Sequence, residues 1–210
     1  MLYEEITQKI AKIKNLKTKD IDLIANDLYK RDVDVGPLLS HIKESGALHR
    51  IYFVVSLKRS ETFESQLSFI EQHWQYFSDW WHTDILLQLL KKVPSFDYVY
   101  AKAKEYVESP LLYVRRWGYV IFLNGLQKDP KNTRAILKLM HDDDEHHVQM
   151  AEAWLIADLC IYAPEIVLDF IAQKNLGYNI IGKAIQKICD SFRISEDIKS
   201  QAKSLRALYK

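Results

Sequence analysis

The sequence predicts an all-α fold, a curved superhelical array of HEAT-like antiparallel helix pairs. Three observations predict it. Apolar residues recur at intervals of three and four along nearly the whole chain, the spacing that lines one face of a helix. Only 6 Gly and 5 Pro occur in 210 residues, which leaves little room for the turns of an all-β fold. No segment shows the strict alternation of a half-buried strand.

The elements follow in order. Ile6, Ile10 and Ile13 mark a first helix, and Ile21, Ile24 and Leu28 a second. The same periodicity predicts helices over 37–44, 47–58, 62–75, 79–92, 96–108, 110–125, 131–141, 145–161, 164–173, 178–191 and 195–208. Pro94, Pro110, Pro130 and Pro164 stand at or near the first turn of a following helix, where a missing N–H costs nothing. Ser195 is a suitable N-cap, and Gly125 and Gly177 fall where helices should end or begin.

Helices this short, joined by short loops, suggest stacked pairs. The unusual residues repeat with a matching period. Trp80 to Arg116 spans 36 residues and Arg116 to Trp154 spans 38, close to one HEAT or armadillo unit. In such an array the second helix of each pair lines a concave face, so residues one period apart stand side by side. One domain is expected over 1–210, with more divergent helices at about 1–60 and the best-formed repeats at about 62–208. A plain helical bundle is the alternative.

Bulk properties narrow the function. Lys plus Arg is 29 and Asp plus Glu is 28, a net charge of +1. That argues weakly against strong duplex binding, although a balanced total can hide a one-sided basic groove. Cys160 and Cys189 have no CxxC partner and read as buried thiols of a reducing compartment. The amphipathic start, with Glu4 and Glu5, is unlike a secretory signal. Asp158 interrupts the longest apolar run, Trp154–Ala163, so no membrane span is expected. The expected location is the cytoplasm, as a monomer.

Four stretches could carry chemistry. Within Ser78–Asp84, Trp80 and Asp84 are four apart and share a helix face, an indole beside a carboxylate. Both indoles there could equally be core, with Asp84 as a cap. Within Ser109–Gly118, Arg115 and Arg116 diverge by about 100° around a helix, so only one can face a groove. It must meet a ligand anion or an acidic residue of the next repeat. Trp154 shares a stripe with Met150 and Ala157, a pattern that also suits core packing. Finally, Lys183, Lys187 and Arg193 lie in a segment, 174–210, with eight Lys/Arg and three Asp/Glu. That excess suits phosphate contact or a merely solvated face.

His141, His146 and His147 flank Asp142-Asp143-Asp144-Glu145 and look superficially like metal ligands. The acidic run is better read as the first turn of the helix reaching Val148, and no metal is expected. There is no HExxH, P-loop, GxGxxG or GxSxG.

Taken in order, Trp80 with Asp84, the Tyr113–Arg116 segment, Val148–Trp154 and Lys183–Arg193 resemble the AlkD-type DNA alkylation repair glycosylases over roughly residues 62–208. The resemblance implies HEAT-like repeats whose concave face holds duplex DNA. Asp84 would then be the catalytic carboxylate, with Trp80 and Trp154 as walls beside the lesion's deoxyribose and Arg116 on a nearby phosphate. Arg115, Lys183, Lys187 and Arg193 would be further DNA contacts. It implies hydrolysis of the N-glycosidic bond of cationic N3- or N7-alkylpurines without a cofactor. The N-terminal part departs from that pattern: only Asp34-Val35-Gly36-Pro37-Leu38 is similar to the family's helix-leading motif, without its basic residue or aromatic. A shortened subgroup of the family is similar in this respect, and it implies weak DNA binding without excision; the other alternative is a helical-repeat interaction scaffold whose Trp and Arg residues are core and interface.

Overall fold

The computed structural model describes residues 1–209, and among them there are helices and connecting turns but no strand. The chain divides into two compact units, Met1–Lys92 and Val93–Lys210.

In the first unit, α1 (Leu2–Ala11) and α2 (Thr18–Lys30) are amphipathic, turning Ile6 and then Ile24, Ala25 and Leu28 inward. α2 packs on α3 (Gly46–Arg59), whose Leu48, Ile51, Phe53, Val55 and Leu57 form the centre of the unit. Ser45 caps α3 by accepting from the Ala47 amide at 3.2 Å. Thr62 and Ser65 cap the start of α4 (Phe63–Glu71) reciprocally. The buried Gln66 side chain then joins three segments. Its Nε2 donates to Leu57 O (2.9 Å) and Leu89 O (2.8 Å), and its Oε1 accepts from Lys91 N (2.6 Å).

The second unit holds α6 (Phe96–Val107), α7 (Leu112–Val120), α8 (Pro130–Leu137), α9 (His146–Tyr162), α10 (Pro164–Ala172), α11 (Tyr178–Asp190) and α12 (Glu196–Arg206). α7, α9 and α11 pack in succession as one layer, and α8, α10 and α12 as another. α9 is central, so it is apolar almost all round, with Val148, Ala151, Ala153, Leu155, Ile156, Leu159 and Cys160 buried. Gly118 lets α6 approach α7 closely, since a methyl group there would sit 2.7 Å from Val107 Cγ1. Pro130 and Pro164 open their helices at the first position. Ser195 caps α12, and Gly177 precedes α11.

Four expected helices are broken. Segment 62–75 ends as an α-helix at Glu71 and is followed by a separate 3-10 turn, Trp74–Tyr76. Segment 37–44 is a tight 3-10 turn, Gly36–His41, because Pro37 cannot continue a helical ladder and Asp34 captures the Gly36 amide at 2.9 Å. Segment 79–92 contains only α5 (Trp80–Asp84) and a 3-10 turn at Leu86–Gln88, and the Lys91 amide beyond them is taken by Gln66. Segment 110–125 ends as an α-helix at Val120 and closes on Gly125, whose φ of 103° favours glycine. Cys160 and Cys189 are free thiols, and burial pushes Cys160 up to about 11. No helix among the described residues is long and apolar enough to cross a membrane.

Candidate functional site

On the first unit, α5 begins where the Asp79 carboxylate accepts from the Trp80 amide at 2.7 Å. Its five residues divide between solvent and core. Trp80 is 47% exposed, and Asp84 lies one turn on along the same helix face, partly exposed. The Thr83 hydroxyl lies between them, within 2.8 Å of Trp80 O and 3.1 Å of Asp84 Oδ1.

Trp81 and His82 turn inward. His82 stacks on His49 with ring centroids 3.6 Å apart, and Trp81 lies edge-on to both. Burial holds His49 at about 2 and His82 at about 4, so this is a stack of neutral rings that anchors α5. Asp84 also faces a hollow of about 480 Å3 bordered by Trp81, Ser45, Arg50 and Gln88. The Arg50 guanidinium is already held by Asp22, with Nε–Oδ1 at 2.7 Å and the second nitrogen to Oδ2 at 2.8 Å.

On the second unit, the two adjacent arginines of α7 diverge as expected. Arg116 is 4% exposed and donates to His147 O at 2.6 Å, gripping the first turn of α9. Arg115 meets Asp143 through two nitrogens, at 2.6 and 3.4 Å, and also donates to Ser109 O. Asp143 in turn accepts from the Glu145 amide at 2.8 Å and lies 3.2 Å from His141 Nε2. Burial raises the Asp143 carboxyl, but the Arg115 hydrogen bond and the Glu145 amide outweigh it and hold the group below its ordinary value. With that carboxylate ionised, the Arg115 charge is neutralised where it stands.

The acidic run does not form the first turn of a helix. α9 begins at His146, so Asp142–Glu145 precede it. The run serves instead as a clamp: Asp143 takes Arg115, and Asp142 accepts from the Gly177 amide at 2.8 Å. Among the described residues no group of three or more His, Cys, Asp or Glu is arranged to hold a metal.

Trp154 is half-buried on α9. It borders a hollow of about 380 Å3 together with Asp158, Lys187, Phe192 and Arg193. Arg193 donates to Asp158 Oδ1 and Gln127 to Oδ2, both at 2.8 Å. Lys183, one turn before Lys187 on α11, is exposed. The structure therefore gathers Trp154, Lys187 and Arg193 around one hollow. Arg116 meets the same helix about 10 Å along its axis from Trp154, at His147. Trp80 and Asp84 stand together on the first unit.

Sequence reasoning gave Phe192 no role, and read Asp143 only as part of a helix's first turn and Asp158 only as a break in an apolar run. For Asp143 the signal was the expectation that an α7 arginine meets an acidic residue of the next repeat, and for Asp158 an arginine 35 residues away.

The model of a protein family described as DNA alkylation repair enzyme matches residues 6–188. The match begins in α1, well ahead of residue 62, and ends within α11. No curated protein and no solved structure matches the chain.

Proposed function

The chain belongs to the DNA alkylation repair enzyme family, and from that premise we propose that it holds duplex DNA in a groove and hydrolyses the N-glycosidic bond of cationic N3- or N7-alkylpurines. The observation that carries this reading is α5. A short helix places a nearly half-exposed indole one turn from a carboxylate that faces open space and is not sealed in the core.

The chemistry suits those groups. An alkylated purine of this kind is already cationic, so the C1′–N bond breaks with its electron pair going to the base, which leaves neutral. The sugar becomes oxocarbenium-like. The Asp84 carboxylate stabilises that charge, and the electron-rich face of Trp80 adds to it. Water then adds at C1′ and gives up its proton to Asp84 or to solvent, leaving an abasic site. On the second unit, Trp154 offers an indole face to DNA, and Arg116, buried and donating to His147 O, serves a phosphate only by giving up contacts it already makes. Lys183 and Lys187 serve as further phosphate contacts, and Arg193 does so only by releasing Asp158. Arg115 takes that role only by exchanging Asp143 for a phosphate.

The test is incubation with a duplex carrying a single 7-methylguanine, reading free base and abasic sites. Release above buffer that disappears in Asp84→Asn is expected. A second reading, a DNA-binding relative that does not excise, is favoured by two observations: Asp34–Leu38 leads into a 3-10 turn instead of a helix, and Arg115 is committed to Asp143. No release by folded protein, with duplex affinity that falls steeply as salt rises, would select that reading.

A further inference from the structure

Phe192 is the most exposed large apolar residue among the described residues, at 94%. It stands in the turn between α11 and α12, beyond the end of the family match. Leaving a Phe side chain in water forgoes the stabilisation that its burial would bring. It stands at the rim of a hollow whose other wall includes the half-buried indole of Trp154. At about 380 Å3 the hollow is at the small end of the range for ligand sites, roughly 300–1,000 Å3.

The charges say what kind of partner fits. Around the hollow itself Lys187 and Arg193 are balanced by Asp158 and Asp190, and Asp158 is already satisfied by Arg193 and Gln127. Attraction in the hollow is therefore weak, and a flat apolar group is what it can hold. Outside it, Lys183 is exposed on the preceding turn of α11, and the segment 174–210 has five more cations than anions. A neutral planar group on a polyanionic chain matches both features: a nucleobase attached to its phosphates.

We propose that Phe192 is a stacking platform for an unpaired base of a bound nucleic-acid strand, with Trp154 on the facing wall and Lys183 and Lys187 on the flanking phosphates. The inference rests on the nucleic-acid reading above, and it names the feature recognised: a base out of the helical stack. Aromatic stacking of this kind is sequence-tolerant. Because the hollow is charge-balanced, its contribution does not depend on salt, whereas the phosphate contacts do.

Fluorescence anisotropy with two short duplexes, one fully paired and one carrying a single unpaired nucleotide, tests this at two salt concentrations. Wild-type protein is expected to prefer the bulged duplex. Phe192→Ala should weaken bulged binding by about 5- to 150-fold while leaving paired binding unchanged, and Phe192→Trp should retain the preference. The ratio of the two affinities should be the same at both salts. The side chain lies outside the core, so an unchanged thermal melt confirms that the variants fold. Binding of both duplexes with a ratio indifferent to Phe192 overturns the platform and leaves the DNA reading standing. No binding of either duplex by wild type at low salt overturns both. Self-association that Phe192→Ala abolishes, with bulge selectivity untouched, assigns the residue to a protein interface and overturns the proposal.

Discussion

Replacing Glu152 by Gln should stabilise the protein at neutral pH and do little near pH 4. Glu152 lies on α9 with 0% exposure. Its Oε1 accepts from the His141 amide at 3.1 Å, while its Oε2 has no hydrogen-bond partner. Burial raises this carboxyl above its ordinary value, against the opposing pull of the His141 amide. The sign follows from the direction. Below the unfolded value of 4.5 both states are protonated and the group is neutral in the core. As pH rises past that value the unfolded chain ionises first, and the folded state loses up to about 1.4 kcal/mol per pH unit until its own raised value is passed. Gln keeps the oxygen that serves the His141 amide and removes the titration. The variant should therefore match wild type near pH 4 and exceed it at pH 7, by about 1–3 kcal/mol, the cost of a buried polar atom left without a partner. That corresponds to a melting temperature higher by about 2–10 °C for a chain of this size. Urea melts followed by circular dichroism at several pH values measure it. A difference that stays flat with pH, or a Gln variant weaker than wild type at pH 7, would refute the placement of an uncompensated carboxylate there.

Other perturbations should follow from named contacts. Gly118→Ala gains about 1 kcal/mol of helix propensity but puts a methyl group 2.7 Å from Val107 Cγ1 and 3.0 Å from the Val107 backbone nitrogen. Overpacking by about 1–3 kcal/mol should win, lowering the urea midpoint. Asp143→Ala leaves Arg115 uncompensated where its side chain is 17% exposed and should cost about 3–5 kcal/mol. Because the Asp143 carboxyl is held below its ordinary value, that contribution is present above pH 3.8 and is lost as pH falls through the depressed value. The Arg115→Ala, Asp143→Ala double variant should be no less stable than the worse single one, measured as a double-mutant cycle. Trp80→Ala removes an exposed ring, so stability should shift by no more than about 0.5 kcal/mol, while release of 7-methylguanine from duplex DNA should fall about tenfold or more.

Local rules carried the reading of this chain where contacts are local. Prolines at helix starts and Ser195 as a cap are decided within a few residues, and the structure agrees with them. Disagreements arise where a distant side chain intervenes. The helix expected over 79–92 does not reach its far end, where Gln66, 25 residues before Lys91, takes the Lys91 amide. Four consecutive acids looked alike until Arg115, 28 residues earlier, selected Asp143.

Phe192 shows how small such a decision can be. In sequence it lies four residues after Ile188 and continues the stripe of Ile181, Ile185 and Ile188, all of which are buried. A helix carried two residues further would have buried it too. Instead the chain turns extended at Ser191, with ψ of 125°, and the Ser191 hydroxyl accepts from the Arg193 amide at 3.2 Å. That turn ends the helical register, Ile194 takes the buried place, and the aromatic ring is presented to solvent beside Lys187 and Arg193. A single Ser-centred turn thus converts a core pattern into an exposed ring at the edge of the Trp154 hollow. Ser191→Ala, which deletes the hydroxyl acceptor, should loosen that turn and reduce any base-stacking contribution without touching the ring itself.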